Sequence, residues 1–286
     1  MTTKTNAEPA GSDADGERTG PDTVRHFTIH HDGVAIPVSR GGRGRPLVLC
    51  PGLSSTQADL HELIALLRQD HDVVAFDLRG HGFASAADEY TFDAFLGDLA
   101  AVLAEVDLAS EPVLVGYSLG ADLVVHHASE HSGSAAGLVL VDGANPVPEP
   151  FVTGADLEDF RAMWEDLATA NGDRLGTARQ VSLTGKEILD LNIEIDAVRS
   201  AVLDRYRRID RPVSMVMSAS ITGGDTGGRA RRLDRNWRAG VERLLREQPH
   251  ISVTWLDADH GLAVTHAPDI ARIVRNAHGP ADGTTP

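Results

Sequence analysis

One cysteine, Cys50, is the only thiol in 286 residues. A lone thiol closes no disulfide within the chain, so the core must hold the fold, and the composition fits a reducing compartment. Long apolar runs are missing too: none approaches the roughly 20 residues needed to cross a bilayer. The start of the chain, polar and rich in Gly, Asp, Thr and Glu, lacks the apolar stretch of a secretory signal. Cationic residues are scarce beside acids, 26 against 42, for a formal net charge of −16. That excess argues against nucleic acid and anionic membrane surfaces as partners. Neither a zinc-type Cys/His spacing nor an internal repeat occurs. These absences point to a cytoplasmic protein with no nucleic-acid or membrane partner.

What is present is a composition that builds a core. Hydrophobic residues make up 42% of the chain, enough for one large α/β domain with an insertion. Segments 1–23 and 278–286 read as disordered tails. Between them, short apolar runs recur at 46–50, 72–77, 112–117, 136–142, 212–218 and 251–257. Two more, 24–31 and 34–39, flank the hairpin signal Asp32-Gly33. Helical patterns lie between the runs, at 59–67, 91–106, 121–128, 229–247 and 263–277. This alternation predicts an α/β fold with an eight-stranded, mostly parallel sheet, helices on both faces and an antiparallel edge from the leading hairpin.

The alternation breaks once. Residues 145–210 have helical but no strand character. Leu157, Phe160, Trp164 and Leu167 fall on one stripe, and Ile188, Leu191, Ile195, Val198, Val202 and Tyr206 form another. An insertion after a strand's C-terminal end sits over the place where α/β proteins bind ligands. It reads as a helical cap on a core made of 24–144 and 211–277, and not as an independent domain.

Within this frame, Gly116-Tyr117-Ser118-Leu119-Gly120 fits the pattern G-x-S-x-G between a strand-like and a helix-like segment. A serine on a sharp strand-to-helix turn is exposed at the sheet edge beside a helix N-terminus, and the glycines let strand and helix pass closely. Ser118 is therefore the candidate nucleophile. A serine hydroxyl needs an adjacent base held by a third group. His260, in the loop after the last strand, is the best-placed base among the chain's histidines. Two carboxylates stand in the order Ser…Asp…His. Asp142 ends the strand after the elbow; Asp225 lies several residues into the glycine-rich loop 221–228. For the oxyanion, the candidate donors are the N–H groups of Leu119 and of Leu53, since Pro51 has none. Ser54 can add a hydroxyl contact, and Tyr117, Phe160 and Trp164 are further candidate substrate contacts, although stripes such as theirs also pack a cap onto a core.

These motifs resemble the α/β-hydrolase superfamily over about residues 24–277. Asp77-Leu78-Arg79-Gly80-His81-Gly82 is similar to the family's loop after its fourth strand, 116–120 to its elbow, and 257–260 to its histidine loop. The resemblance implies that 77–82 is structural, so His81 is not a catalytic candidate. It also implies that Ser118 stands where epoxide hydrolases and haloalkane dehalogenases carry an aspartate. Two departures stand out. Pro51-Gly52 replaces the family's usual His-Gly, which keeps the backbone donor, and Ser220-Ile221-Thr222 occupies the register of its usual acid without a carboxylate. Some members carry the acid at the end of the strand after the elbow instead, which favours Asp142 over Asp225.

The expectation is a serine hydrolase acting on a small, largely apolar ester, lactone or thioester, with no metal or organic cofactor. The alternatives are a cyclase, lyase or acyltransferase using the same serine and histidine, or an inactive ligand-binding member. The Ala, Gly, Asp and Arg richness suggests a GC-rich bacterial genome, where such proteins often serve secondary metabolism.

Overall fold

The computed structural model describes residues 23–224 and 227–278. The tails expected at 1–23 and 278–286 lie outside these residues, apart from Thr23 and His278. His278 is the buried last residue of a helix.

The chain opens with a hairpin, β1 (Arg25–His31) and β2 (Val34–Gly42), turned at Asp32 and Gly33, both with positive φ. The remaining strands are β3 (Arg45–Cys50), β4 (His71–Phe76), β5 (Val113–Tyr117), β6 (Gly137–Val141), β7 (Val213–Ser218) and β8 (Ser252–Leu256). They form one eight-stranded sheet in the order β1-β2-β4-β3-β5-β6-β7-β8. The β1–β2 and β2–β4 pairings are antiparallel and every later pairing is parallel.

The apolar runs explain this arrangement. β5 and β6 are buried along their whole length, as strands covered on both faces must be. Their side chains alternate between two cores with the period of the pleat. Leu114, Leu138 and Leu140 join the cluster beneath α2 (Phe92–Glu105), α3 (Leu119–Glu130) and α7 (Gly228–Glu247). Val115, Val139 and Val141 join the cluster beneath α1 (His61–Leu67), α8 (Leu262–Thr265) and α9 (Ala267–His278). The single helix expected at 263–277 is thus two. The break falls at His266, two residues before Pro268, because a proline inside one continuous helix would lack the N–H for Val264 O and crowd that carbonyl, whereas proline is tolerated in a first turn.

Three helices lie between β6 and β7: α4 (Leu157–Gly172), α5 (Gly185–Ser200) and α6 (Val202–Tyr206). α5 starts at a capping box, in which Thr184 and Glu187 bond each other's backbone N–H. Leu191, Ile195, Val202 and Tyr206 pack into the main core, so this insertion shares the hydrophobic interior of the sheet. The stripe read from Ile188 to Tyr206 is buried except at the half-buried Val198, and it is not one helix, since α5 ends at Ser200 and α6 begins at Val202. A buried ion pair also ties α5 to α3: Arg199 donates to Asp122 from Nε at 3.0 Å and from Nη2 at 2.6 Å. Among the described residues no helix is long and apolar enough to cross a membrane.

Candidate active site

β5 runs into Ser118, and α3 begins at the next residue. Ser118 has φ 52° and ψ −119°, a conformation that costs a non-glycine residue about 1–3 kcal/mol and persists only where its surroundings enforce it. The surroundings here are tight. Ser118 N–H donates to Val141 O of β6 at 2.9 Å. A Cβ at Gly120 would meet the carbonyl oxygens of Cys50 and Pro51, and one at Gly52 would lie 2.9 Å from Ser118 Cβ. Both positions need glycine because β3, its following loop and the elbow cross at backbone contact.

Ser118 Oγ lies 3.0 Å from His260 Nε2, and His260 Nδ1 lies 2.8 Å from Asp142 Oδ2. A carboxylate only accepts, so Nδ1 carries the proton and Nε2 is left to accept the serine O–H. Asp142 is fully buried, and three further donors hold it. Oδ1 accepts from Ser218 N–H at 2.9 Å and from Trp237 Nε1–H at 2.9 Å, and Oδ2 accepts from Ser218 Oγ–H at 2.7 Å. A buried carboxylate is tolerated only when its lone pairs are filled in this way. Ser218 ends β7, the neighbour of β6, while Trp237 comes from the middle of α7. Neither had a signal in the local sequence, because their roles follow from strand order and helix packing. Asp225, the alternative acid, lies outside the described residues.

The loop after β3 carries Leu53, which lines the same cavity as Ser118 and Leu119. Among the described residues no backbone acceptor takes the N–H of Leu53 or of Leu119, so both remain available to a ligand. The loop is braced from behind by His81. Its Nδ1–H donates to Arg79 O at 2.8 Å, leaving Nε2 to accept Ser54 N–H at 3.1 Å. Complete burial lowers the His81 pKa to about 4, which keeps the ring neutral and Nε2 an acceptor. Nearby, burial raises the Asp77 carboxyl to about 6 while it accepts Gln57 N–H at 2.8 Å.

A cavity of about 430 Å³ opens over Ser118 and His260. Phe160 and Trp164, expected as substrate contacts, line it on α4. Ser54 and Tyr117 are not among its lining residues. Ser54 is held with positive φ and its N–H on His81. Tyr117 points to the opposite side of the sheet, as the residue before the elbow must by the period of the strand. There its O–H donates to His260 O at 2.7 Å and its ring packs 5.6 Å from the imidazole. The cavity also meets side chains that the apolar stripes did not reveal: Asn192, Asp196 and Arg199 on α5. Their spacing of four and three residues is itself a helical stripe, polar and adjacent to the apolar one. Among the described residues no group of three His, Cys, Asp or Glu side chains is arranged to hold a metal.

Residues 45–276 match the family described as the alpha/beta hydrolase fold. The chain is similar to a non-heme chloroperoxidase of Kitasatospora aureofaciens, 33% identical over 119 residues, or 41% of this chain and 43% of that protein. It is similar to an N-formylmaleamate deformylase of Pseudomonas putida, 29% identical over 147 residues, or 44% of this chain and 54% of that protein. The chain thus spans about half the length of the curated relatives it matches. Among solved structures, a carboxylesterase of Nitrososphaera gargenis superposes with a TM-score of 0.67 at 16% identity, covering 88% of this chain and 97% of the other. That likeness is one of fold. The strand order, the elbow and the match over most of the chain place this protein in the α/β-hydrolase family.

Proposed function

We propose that this protein is a serine hydrolase that cleaves a carboxylic ester, lactone or thioester of a small, largely apolar molecule through an acyl-enzyme. The observation that carries this reading is the hydrogen-bonded series Ser118 Oγ, His260 Nε2, His260 Nδ1, Asp142 Oδ2, with links of 3.0 and 2.8 Å, at one side of an apolar cavity. Ser118 Oγ attacks the carbonyl carbon as its proton passes to His260 Nε2. The carbonyl oxygen, now negative, accepts the N–H groups of Leu53 and Leu119, an interaction that typically supplies about 2.7–4 kcal/mol per donor. His260 then returns the proton to the departing alcohol or thiol. Water, deprotonated by the same imidazole, attacks the acyl-serine and releases the acid and Ser118. Asp142 holds the imidazole in the tautomer that accepts the serine proton and stabilises the imidazolium that forms. The insertion α4–α6 acts as a cap whose side chains select the substrate.

The test is intact mass after treatment with a fluorophosphonate, on wild type and on Ser118→Ala. One adduct on wild type and none on the variant is expected, followed by turnover in an ester, lactone and thioester panel that Ser118→Ala or His260→Ala lowers by about 10⁴-fold or more. An unlabelled, folded wild type, or near-wild-type turnover in either variant, rules the reading out.

A further inference from the structure

The cavity beside Ser118 is two-sided. One side is apolar and rich in rings. Of the three Trp and seven Phe in the chain, Trp164, Trp237, Phe151 and Phe160 all line it. The other side is the polar face of α5, where Asn192, Asp196 and Arg199 follow one another at spacings of four and three residues and therefore share a helix face.

The charges on these walls do not cancel. Two cations reach the cavity, Arg199 and Arg229, and each already has a carboxylate. Arg199 is bound through Nε and Nη2 to Asp122, and its guanidinium lies over the Trp237 ring at 5.5 Å. Arg229 donates to Asp159 at 2.6 Å. Asp196 has no such partner: among the described residues no cation lies within ion-pair distance of it, and its Oδ2 accepts Val152 N–H at 2.9 Å. It is only 8% exposed. Burial pushes its carboxyl above the ordinary range, against the pull of the Val152 and Phe151 backbone and of Arg199. A buried carboxylate without an ion pair, in a cavity whose two arginines are already paired, favours a ligand that brings a donor or a positive charge. A ligand carboxylate would face Asp196, and although Asp122 leaves Nη1 of Arg199 open, the charge of that guanidinium is already balanced by Asp122.

We propose that the cavity takes substrates with an apolar, ring-bearing body and a hydrogen-bond donor or ammonium group directed at Asp196, and that it discriminates against substrates carrying a carboxylate at that position. The inference rests on the hydrolase reading for its scissile bond, and on the cavity alone for its ligand class.

The test uses ethyl phenylacetates with a para CH₂NH₃⁺, CH₂OH or CH₂CO₂⁻ group, in which the methylene insulates the ester electronically. The matching ethers, with CH₂ in place of the carbonyl, report binding alone through the fluorescence of Trp164 and Trp237. The ammonium and hydroxyl esters should exceed the carboxylate ester in kcat/KM by roughly 100-fold, like charges costing several kcal/mol at a desolvated contact. The ratio of ammonium to carboxylate ester should fall by about tenfold or more in Asp196→Asn, whose amide oxygen still accepts Val152 N–H. It should widen in Asn192→Asp, which adds a second carboxylate to the same face and keeps the inference testable should Asp196→Asn fail to fold. Turnover that ignores the para group, or favours the carboxylate, overturns the inference and leaves the hydrolase reading standing. Ethers that bind in the expected order without any ester being cleaved do the reverse. An ammonium ether that does not bind overturns the inference as well.

Discussion

The floor of the cavity and its walls are held in place by different physics. The floor consists of Ser118 and His260 with Asp142 buried behind them, each beyond the end of a parallel strand: β5, β8 and β6. Their positions follow from ladder hydrogen bonds and buried polar contacts. Ser118 is pinned to Val141 O, and Asp142 is filled by Ser218, Trp237 and His260. The walls come from helix faces, where Phe160, Trp164 and Ile195 are located by packing and α5 is tied to α3 by the Arg199–Asp122 pair. Directional bonds define atoms to fractions of an ångström, which proton transfer requires. Apolar contacts define a volume, which is what selecting a substrate requires. Losses at the floor should therefore appear in kcat, and losses at the walls in the ratios between substrates.

The sharpest way to break this comparison is Asp142→Asn. An amide at this position favours the wrong imidazole tautomer, and kcat should fall by about 10⁴-fold. Steady-state kinetics should show Asp225→Asn within about twofold of wild type, since Asp142 already occupies the Nδ1 side of His260. A larger loss in Asp225→Asn would move the third member of the site into the loop after β7.

A smaller effect is expected behind the oxyanion loop. The His81 pKa is lowered from its ordinary value of 6.5 to about 4 by burial. Between those values the unfolded chain binds a proton that the folded chain does not. Stability attributable to His81 is therefore complete above pH 6.5 and lost as pH falls towards 4, by up to about 3 kcal/mol. Asp77, raised to about 6, acts in the opposite direction between pH 4 and 6. The effect is therefore read as a difference: urea unfolding of wild type and His81→Asn at pH 7 and pH 5 should show a smaller acid loss in the variant. Equal losses would mean that the His81 site does not stay neutral.

Trp237 belongs to both regions. Its ring lines the cavity and its N–H reaches Asp142. Trp237→Phe keeps most of the ring and removes the donor, a hydrogen bond to a charged group worth about 1.5–3 kcal/mol. A drop of about tenfold in kcat with KM nearly unchanged is expected. The converse pattern, raised KM with kcat kept, would make Trp237 a wall residue only.

Much of the floor was legible because it is written in local chemistry. A Gly-x-Ser-x-Gly between a strand and a helix can make one kind of turn, and apolar runs in alternation with helical stripes can make one kind of sheet. Even so, two carboxylates fitted the order, and the position of Asp142 against His260 depends on β6 lying between β5 and β7. The walls were legible only by half. Phe160 and Trp164 stood out as an apolar stripe, but Asn192, Asp196 and Arg199 look like ordinary solvated positions until a cavity opens beside them. Tyr117 was placed on the ligand side although the two-residue period of β5 sends it through the sheet. Pro268 marked the break between α8 and α9 plainly enough, but the amphipathic pattern ran across it.

Taken alone, then, the sequence determined where strands and helical segments alternate, though not every helix break, that the sheet is mostly parallel, and that Ser118 sits on a turn only glycines can flank, because these depend on periodicity and backbone sterics within a few residues. Tertiary structure alone decided that Ser218 and Trp237 fill the lone pairs of Asp142, that His81 braces the loop of Leu53, and that Asp196 is left without an ion pair in the wall. Each of these depends on residues 27 to 95 positions apart, or on counting charges around one space, and a linear pattern records neither.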